Sequence, residues 1–283
     1  ERDGKKAIEI LFKNRQTYDH PDFAMLYSSM GVISKHRGDD EACLDYQRRA
    51  LELLKKTAPK DSLQLAIVNF RTAMIFFEDQ AAPISDEEIG RYLQAALEAL
   101  PPSEIYLPLR AIFNLVLAML NKRNGALTSA IDLLMDALSN FEEHFKKFGD
   151  DEPPILALCW QEIALLHEAN GELDKALESQ RAVVEMCERH KKEMGAEIAE
   201  PYILLSRLYL KKNNRKDALR YRYRAKEANA ELVNEKPDLK NMGELYLKQN
   251  REKNTWEYVI LTAEELKSLK DDVGEVVASF ATQ

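Results

Sequence analysis

Chain breakers are scarce in this sequence: ten glycines and ten prolines among 283 residues, about 7% together against an average usage near 12%. Alternation of period 2 is essentially missing, which argues against a β architecture. The longest uncharged stretch of note, Ala111 to Asn121, falls far short of the roughly 20 apolar residues a bilayer-spanning helix needs, so no membrane span is expected. Only three cysteines occur, Cys43, Cys159 and Cys187. An odd number without short-range pairing fits buried thiols in a reducing compartment better than a disulfide framework, so the expected location is the cytoplasm, with association with the cytoskeleton as a further possibility. The five histidines never stand at the i, i+4 spacing of a helical zinc pair, and no cysteine lies within four residues of another. There is no Gly-x-Gly-x-x-Gly, no phosphate loop and no Gly-x-Ser-x-Gly elbow. His167 beside Glu168 is read as a packed, structural histidine. Neither a metal, a cofactor nor a catalytic activity is therefore expected.

What is present is a globular balance. Hydrophobic residues make up 45% and charged residues 31%, with a net charge of −8, which excludes wholesale disorder. The prolines fall between apolar-periodic segments or in first helical turns, where the missing N–H costs nothing. Between them the apolar residues recur with helical period: Ala130, Ile131, Leu134, Ala137 and Leu138 lie on one helix face. Ser85 followed three residues later by Glu88 is a capping-box signature and predicts a helix start. The fold class is all-α.

The helices arrive as repeated pairs. Gly125 is followed after five residues by Ala130 and after a further seven by Ala137-Leu138; Gly171 is followed at the same distances by Ala176 and Val183-Val184, and Gly38 by Cys43 and Ala50-Leu51. Seven residues before those glycines stand Gly31, Ala118 and Ala164, small residues where two helices of a hairpin must approach closely. The pattern resembles the tetratricopeptide repeat (TPR), with Trp160, Ile163, Ala164, Gly171 and Ala176 as its best match. Alanine-type positions at Ala7, Cys43, Ile89, Ala130, Ala176, Ala218 and Thr255 are spaced by 36 to 46 residues. Together with Asp19-His20-Pro21-Asp22, Ala50-Leu51-Glu52-Leu53 and Lys60-Asp61-Ser62, this spacing resembles the roughly 42-residue variant of kinesin light chains.

That resemblance implies a right-handed superhelix of antiparallel helix hairpins over residues 1–270: an orphan second helix at 1–17, hairpins at 23–60, 63–101, 108–148, 153–195 and 198–233, and a divergent terminal hairpin at 237–269, followed by a tail at 271–283. It also implies a non-catalytic scaffold or adaptor, similar to the cargo-binding array of kinesin light chains, holding a short segment of another protein in a concave groove. Mapped onto the inward helix positions, the groove residues are Ile67, Phe70, Met74, Ile112, Leu115, Met119, Lys122, Gln161, Leu165, Arg207 and Lys211. Apolar walls with basic residues suggest a segment with hydrophobic anchors and acidic flanks. Ser28 and Val32 stand where chaperone-tail binders carry a carboxylate clamp, which disfavours that ligand.

One charge cluster stands apart. Nine basic residues and a single acid lie between Arg207 and Lys226, with Lys212, Arg215, Lys216, Arg220, Arg222 and Arg224 forming its expected surface. Arginine interleaved with tyrosine can grip phosphate, so the alternative function is a nucleic-acid or acidic-lipid binding module, nucleic acid being the less favoured partner. The competing reading is a basic helix neutralised by acids of adjoining repeats.

Overall fold

A computed structural model describes residues 20–77, 79, 82–148 and 154–235, isolated positions before residue 14, and the backbone of three short strands beyond residue 243. Of the expected orphan helix at 1–17 only Lys6, Glu9, Ile10, Phe12 and Lys13 are described, all in helical conformation, and most of the 271–283 tail lies outside the described residues.

Among the described residues ten long helices form the body of the structure. They are α1 (Pro21–His36), α2 (Asp40–Thr57), α3 (Leu63–Phe77), α4 (Asp86–Ala99), α5 (Leu107–Arg123), α6 (Leu127–Phe148), α7 (Pro154–Ala169), α8 (Leu173–Arg189), α9 (Ala199–Lys211) and α10 (Arg215–Ala228). Each odd-numbered helix packs against the even-numbered helix that follows it, giving five hairpins. The chain divides into two compact units, Glu1–Glu152 and Pro153–Gln283, where a single array is expected from the sequence. The division falls at the acidic, proline-bearing stretch that precedes α7. The first unit holds three hairpins, stacked through α2 on α3 and α4 on α5; the second holds two, stacked through α8 on α9.

The hairpin turns follow from one backbone requirement. Gly38, Gly125 and Gly171 have φ of 77°, 77° and 79°, the left-handed region in which a Cβ is costly. The same site in the fifth hairpin is Asn213, at φ 59°, the side chain that best tolerates this conformation after glycine. In all four turns the N–H of the next residue donates to the carbonyl five residues back: Asp39 to Ser34, Ala126 to Asn121, Glu172 to His167 and Asn214 to Tyr209. This Schellman bonding satisfies carbonyls that end the first helix. The second helix then starts under a side-chain cap, Asp39 accepting from the Ala42 N–H and Asn214 from the Asp217 N–H. Ser85 caps α4 in the same way, accepting from the Glu88 N–H.

Spacing from those turns decides what is buried. Cys43, Ala130, Ala176 and Ala218, five residues on, are fully buried, as are Ala50, Ala137 and Ala225 a further seven on. Close approach is tightest at Gly31, where a Cβ would come within 2.8 Å of Gln47 Nε2 and 3.1 Å of the Cys43 carbonyl oxygen. Gln47 is itself buried and donates from Nε2 to the Ser28 carbonyl. Gly31→Ala is thus expected to destabilise the first unit by about 1–3 kcal/mol, because displacing Gln47 outweighs the gain of about 1 kcal/mol in helix propensity. Thermal unfolding of the variant checks the sign; an unchanged or raised midpoint would contradict the close packing.

Helix α5 is apolar nearly all round because it is buried on two sides, against α6 and against α4. The segment Glu104–Arg123 that contains it is long and apolar enough by composition to cross a membrane. Within it Phe113, Val116, Leu117 and Leu120 are buried in the core, while Ile112 and Met119 are exposed.

The terminal hairpin expected at 237–269 is not helical where the structure describes it. Strands β1 (Glu244–Asn250) and β2 (Thr255–Leu261) pair antiparallel, and β1 also pairs with β3 (Val276–Val277), in the order β2-β1-β3. The register sets Leu247 opposite Tyr258 and Leu245 opposite Ile260. Trp256, Tyr258, Val259 and Ile260 are strong strand formers, and they outweigh the helical register that assigns Thr255 to an alanine position.

Candidate functional site

The inward positions of α3 and α5 share one face each, since Ile67, Phe70 and Met74, and likewise Ile112, Leu115 and Met119, recur at helical spacing. Their exposure separates them from the core around them. Met74, Ile112 and Met119 are 37%, 39% and 45% exposed, and Ile67, Phe70 and Leu115 are half-buried. The two stripes lie side by side. Phe70 stacks on Phe113, the neighbour of Ile112, at 4.3 Å between ring centroids, and at the helix ends Arg123 donates to the Phe77 carbonyl at 2.6 Å. The first unit therefore presents an apolar patch of flexible methionines with Lys122 exposed at its end. Two other inward positions are closed off: Ser28 is buried beneath Gln47, and Phe77 lies under the Arg123 guanidinium.

In the second unit, Gln161 and Leu165 are half-buried on α7, while Arg207 and Lys211 are exposed on α9. Leu158, one turn before Gln161, is 56% exposed. It stands at the mouth of a cleft of about 550 Å³.

Part of the basic segment is paired with acids of its own unit. Lys211 pairs with Glu168, Lys212 with Asp174, and Arg224 with Glu188. The acids belong to the preceding hairpin, 36 to 43 residues earlier in sequence. Arg224 also lies over the rings of Tyr202 and Tyr221, and Tyr209 stacks on Tyr221 while accepting hydrogen bonds from Arg181. Arg222, expected on the surface, is only 6% exposed and cannot contribute to one. It sits nine residues after the left-handed turn residue, the slot that buried Gln47 and Gln180 fill in the first and fourth hairpins. Arg215, Lys216 and Arg220 remain exposed. The tyrosine and arginine alternation is thus mostly packing between hairpins, while Arg215, Lys216, Arg220 and Lys226 present charge outward.

The chemistry of the remaining candidates is quiet. His167 is nearly buried and bonded at 2.7 Å to Glu172. Glu172 is held well below the usual carboxylate range, at about 2, by Lys175 and then by His167. Burial pushes the thiols of Cys43 and Cys159 up to about 11 and raises that of Cys187, so none is a thiolate nucleophile at neutral pH. Among the described residues no three His, Cys, Asp or Glu side chains are grouped to hold a metal ion.

Antiparallel helix pairs with a left-handed turn residue, small residues at the closest approach and an apolar inner face define a helical-repeat protein of the TPR-like class. No family model and no curated protein matches the sequence; the likeness is one of structure. A Podosopora anserina protein described as a kinesin light chain with nearly identical TPR-like repeats matches with 17% identity and a TM-score of 0.57, over 75% of this chain and 97% of its own. BtubC (BKLC) from P. vanneervenii matches with 16% identity and a TM-score of 0.58, over 82% of this chain and 88% of its own. YrrB, described as a TPR protein with an unusual peptide-binding site, matches with 18% identity and a TM-score of 0.52, over 80% and 92%. At these identities the shared property is the fold.

Proposed function

We propose that the chain is a non-catalytic protein-interaction scaffold that holds a short segment of a partner protein against the inner faces of its odd-numbered helices. The observation that carries this reading is the exposure of Met74, Ile112 and Met119 on helices whose other apolar residues are buried or half-buried. Burying two or three such side chains against a peptide contributes about 1.5–3 kcal/mol each before ordering costs, enough for micromolar affinity. Methionine adapts its shape, so several partner sequences are tolerated. The structural likeness to YrrB and to kinesin light chain-type repeats favours a peptide ligand and an adaptor role of the cargo-binding kind. In the first unit, Lys122 is the cation placed to meet an acidic flank. Buried cysteines agree with a cytoplasmic setting.

The test is capture of partner proteins from native lysate by the intact chain and by Leu115→Glu and Met119→Glu. Both variants are expected to lose capture at least tenfold while circular dichroism and the unfolding midpoint stay close to wild type. Unaltered capture by both would refute docking on this face. Collapse of the fold in Met119→Glu, whose side chain is 45% exposed, would make the stripe core instead.

A further inference from the structure

The sign of the charge beside the second unit's cleft differs from what the basic segment suggests. The cleft has a volume of about 550 Å³ and is lined by Ala157, Leu158, Gln161 and Met194, with Glu197 and Glu200 on its wall, a size within the roughly 300–1,000 Å³ range of ligand-binding clefts. Leu158 is exposed at its mouth. Glu197 and Glu200 are exposed, and neither is paired with a cation among the described residues. Glu200 lies in the first turn of α9 and Glu197 in the short turn just before it. The Gln161 amide likewise has no hydrogen-bond partner among the described residues. Lys191 and Lys192 are near in sequence but line none of the cleft. Across the same unit Lys211, Lys212 and Arg224 are held by Glu168, Asp174 and Glu188. Next to the apolar mouth, then, the two unpaired side chains on the wall are negative.

Resting on the scaffold reading above, we infer that this cleft takes a partner segment in which a large apolar anchor stands one or two residues from a lysine or arginine. The anchor fills the space beside Leu158 and Ala157. The cation meets Glu197 and Glu200, and Gln161 is placed to bond the segment's backbone. An acidic flank, by contrast, would face two carboxylates of its own sign, so this cleft selects against the kind of segment that Lys122 favours in the first unit. Charge at the rim of an apolar site chooses among partners more than it adds affinity.

Two fluorescein-labelled twelve-residue peptides test this on the full chain. Each carries one central Trp-Leu anchor; one is flanked by lysines and the other by glutamates. At physiological salt the lysine-flanked peptide is expected to bind roughly fivefold or more tightly than the other, what two rim ion pairs supply together. The double variant Glu197→Lys/Glu200→Lys should reverse that order, and Leu158→Glu should weaken both peptides. Because the whole chain is acidic, the control variant Glu142→Lys/Glu143→Lys, on the first unit's α6, should leave the preference unchanged. A preference that falls equally in the control would be net-charge attraction and would overturn the assignment. Equal binding, or a wild-type preference for glutamate that Leu158→Glu removes, would overturn the basic partner while leaving the scaffold reading intact. Failure of both peptides to bind at millimolar concentration overturns the cleft as a docking site; the scaffold reading is judged separately, by Leu115→Glu and Met119→Glu in the first unit.

Discussion

Phe113→Ala is expected to cost the first unit about 3–5 kcal/mol, much of the 5–15 kcal/mol that a domain commonly has. The ring is 1% exposed and fills the space among Ala66, Ala96, Ala99 and Leu100, so it joins α5 to both helices of the hairpin before it. Three of those neighbours are alanines, which cannot extend into the space a lost ring leaves. Its stack on Phe70 adds about 0.5–1.5 kcal/mol beyond the area buried, measurable as the coupling in a double-mutant cycle with Phe70→Ala. Since stacked repeats unfold in parts, hydrogen exchange is the suitable readout: protection should fall in α3 to α5 and stay unchanged in α8 to α10. A uniform loss of protection would show that the two units unfold together. The same variant should weaken partner capture, because Phe113 holds side by side the helices that carry Met74 and Met119.

Much of this architecture is legible in the sequence because the repeat is written in residues with few substitutes. Gly38, Gly125 and Gly171 mark turns that need a left-handed residue, and the small residues before and after them mark the closest helix contacts. What escapes notice has a physical cause in each case. Asn213 does a glycine's work, so the fifth turn is invisible to a search for glycine. The strand Thr255–Leu261 lies within a stretch whose repeat spacing points to helix, and only the crowding of Trp256, Tyr258, Val259 and Ile260 signals otherwise. The inner stripe is legible as a pattern, yet sequence does not separate exposed Met74 from buried Phe77, one helical turn further along α3. The ion pairs were hidden by distance along the chain. Lys35 with Asp79, Arg123 with Asp86 and Lys211 with Glu168 are 44, 37 and 43 residues apart, about one repeat length. Opposite charges recurring one repeat apart are therefore the signal that distinguishes a neutralised basic helix from a binding surface, and counting charge within 20 residues conceals it.

Arg222 is where that distinction has its largest expected effect. Arg222→Glu should unfold the fifth hairpin, whereas Arg220→Glu, two residues away, should leave its helicity and midpoint almost unchanged. Arg220 is exposed and lies over the Tyr221 ring, an arrangement worth about 1 kcal/mol or less. Arg222 is buried between helix turns that carry Leu219 and Ala225, with its guanidinium 5.5 Å from the Tyr223 ring. Exchanging that buried cation for an anion removes its contacts and leaves a carboxylate in the interior, at a cost of about 3–5 kcal/mol. The slot itself indicates what should be tolerated. In the first hairpin it holds Gln47, whose amide donates to the Ser28 carbonyl, and in the fourth Gln180, whose amide donates to the Pro201 carbonyl. Arg222→Gln is therefore expected to be the mildest of the polar replacements, at about 1 kcal/mol, the scale of one exchanged hydrogen bond. Limited proteolysis after α9 and hydrogen exchange across α10 would read all three variants. If Arg222→Glu and Arg220→Glu behave alike, Arg222 is not a structural residue and the basic segment regains its standing as a surface for phosphate-bearing partners.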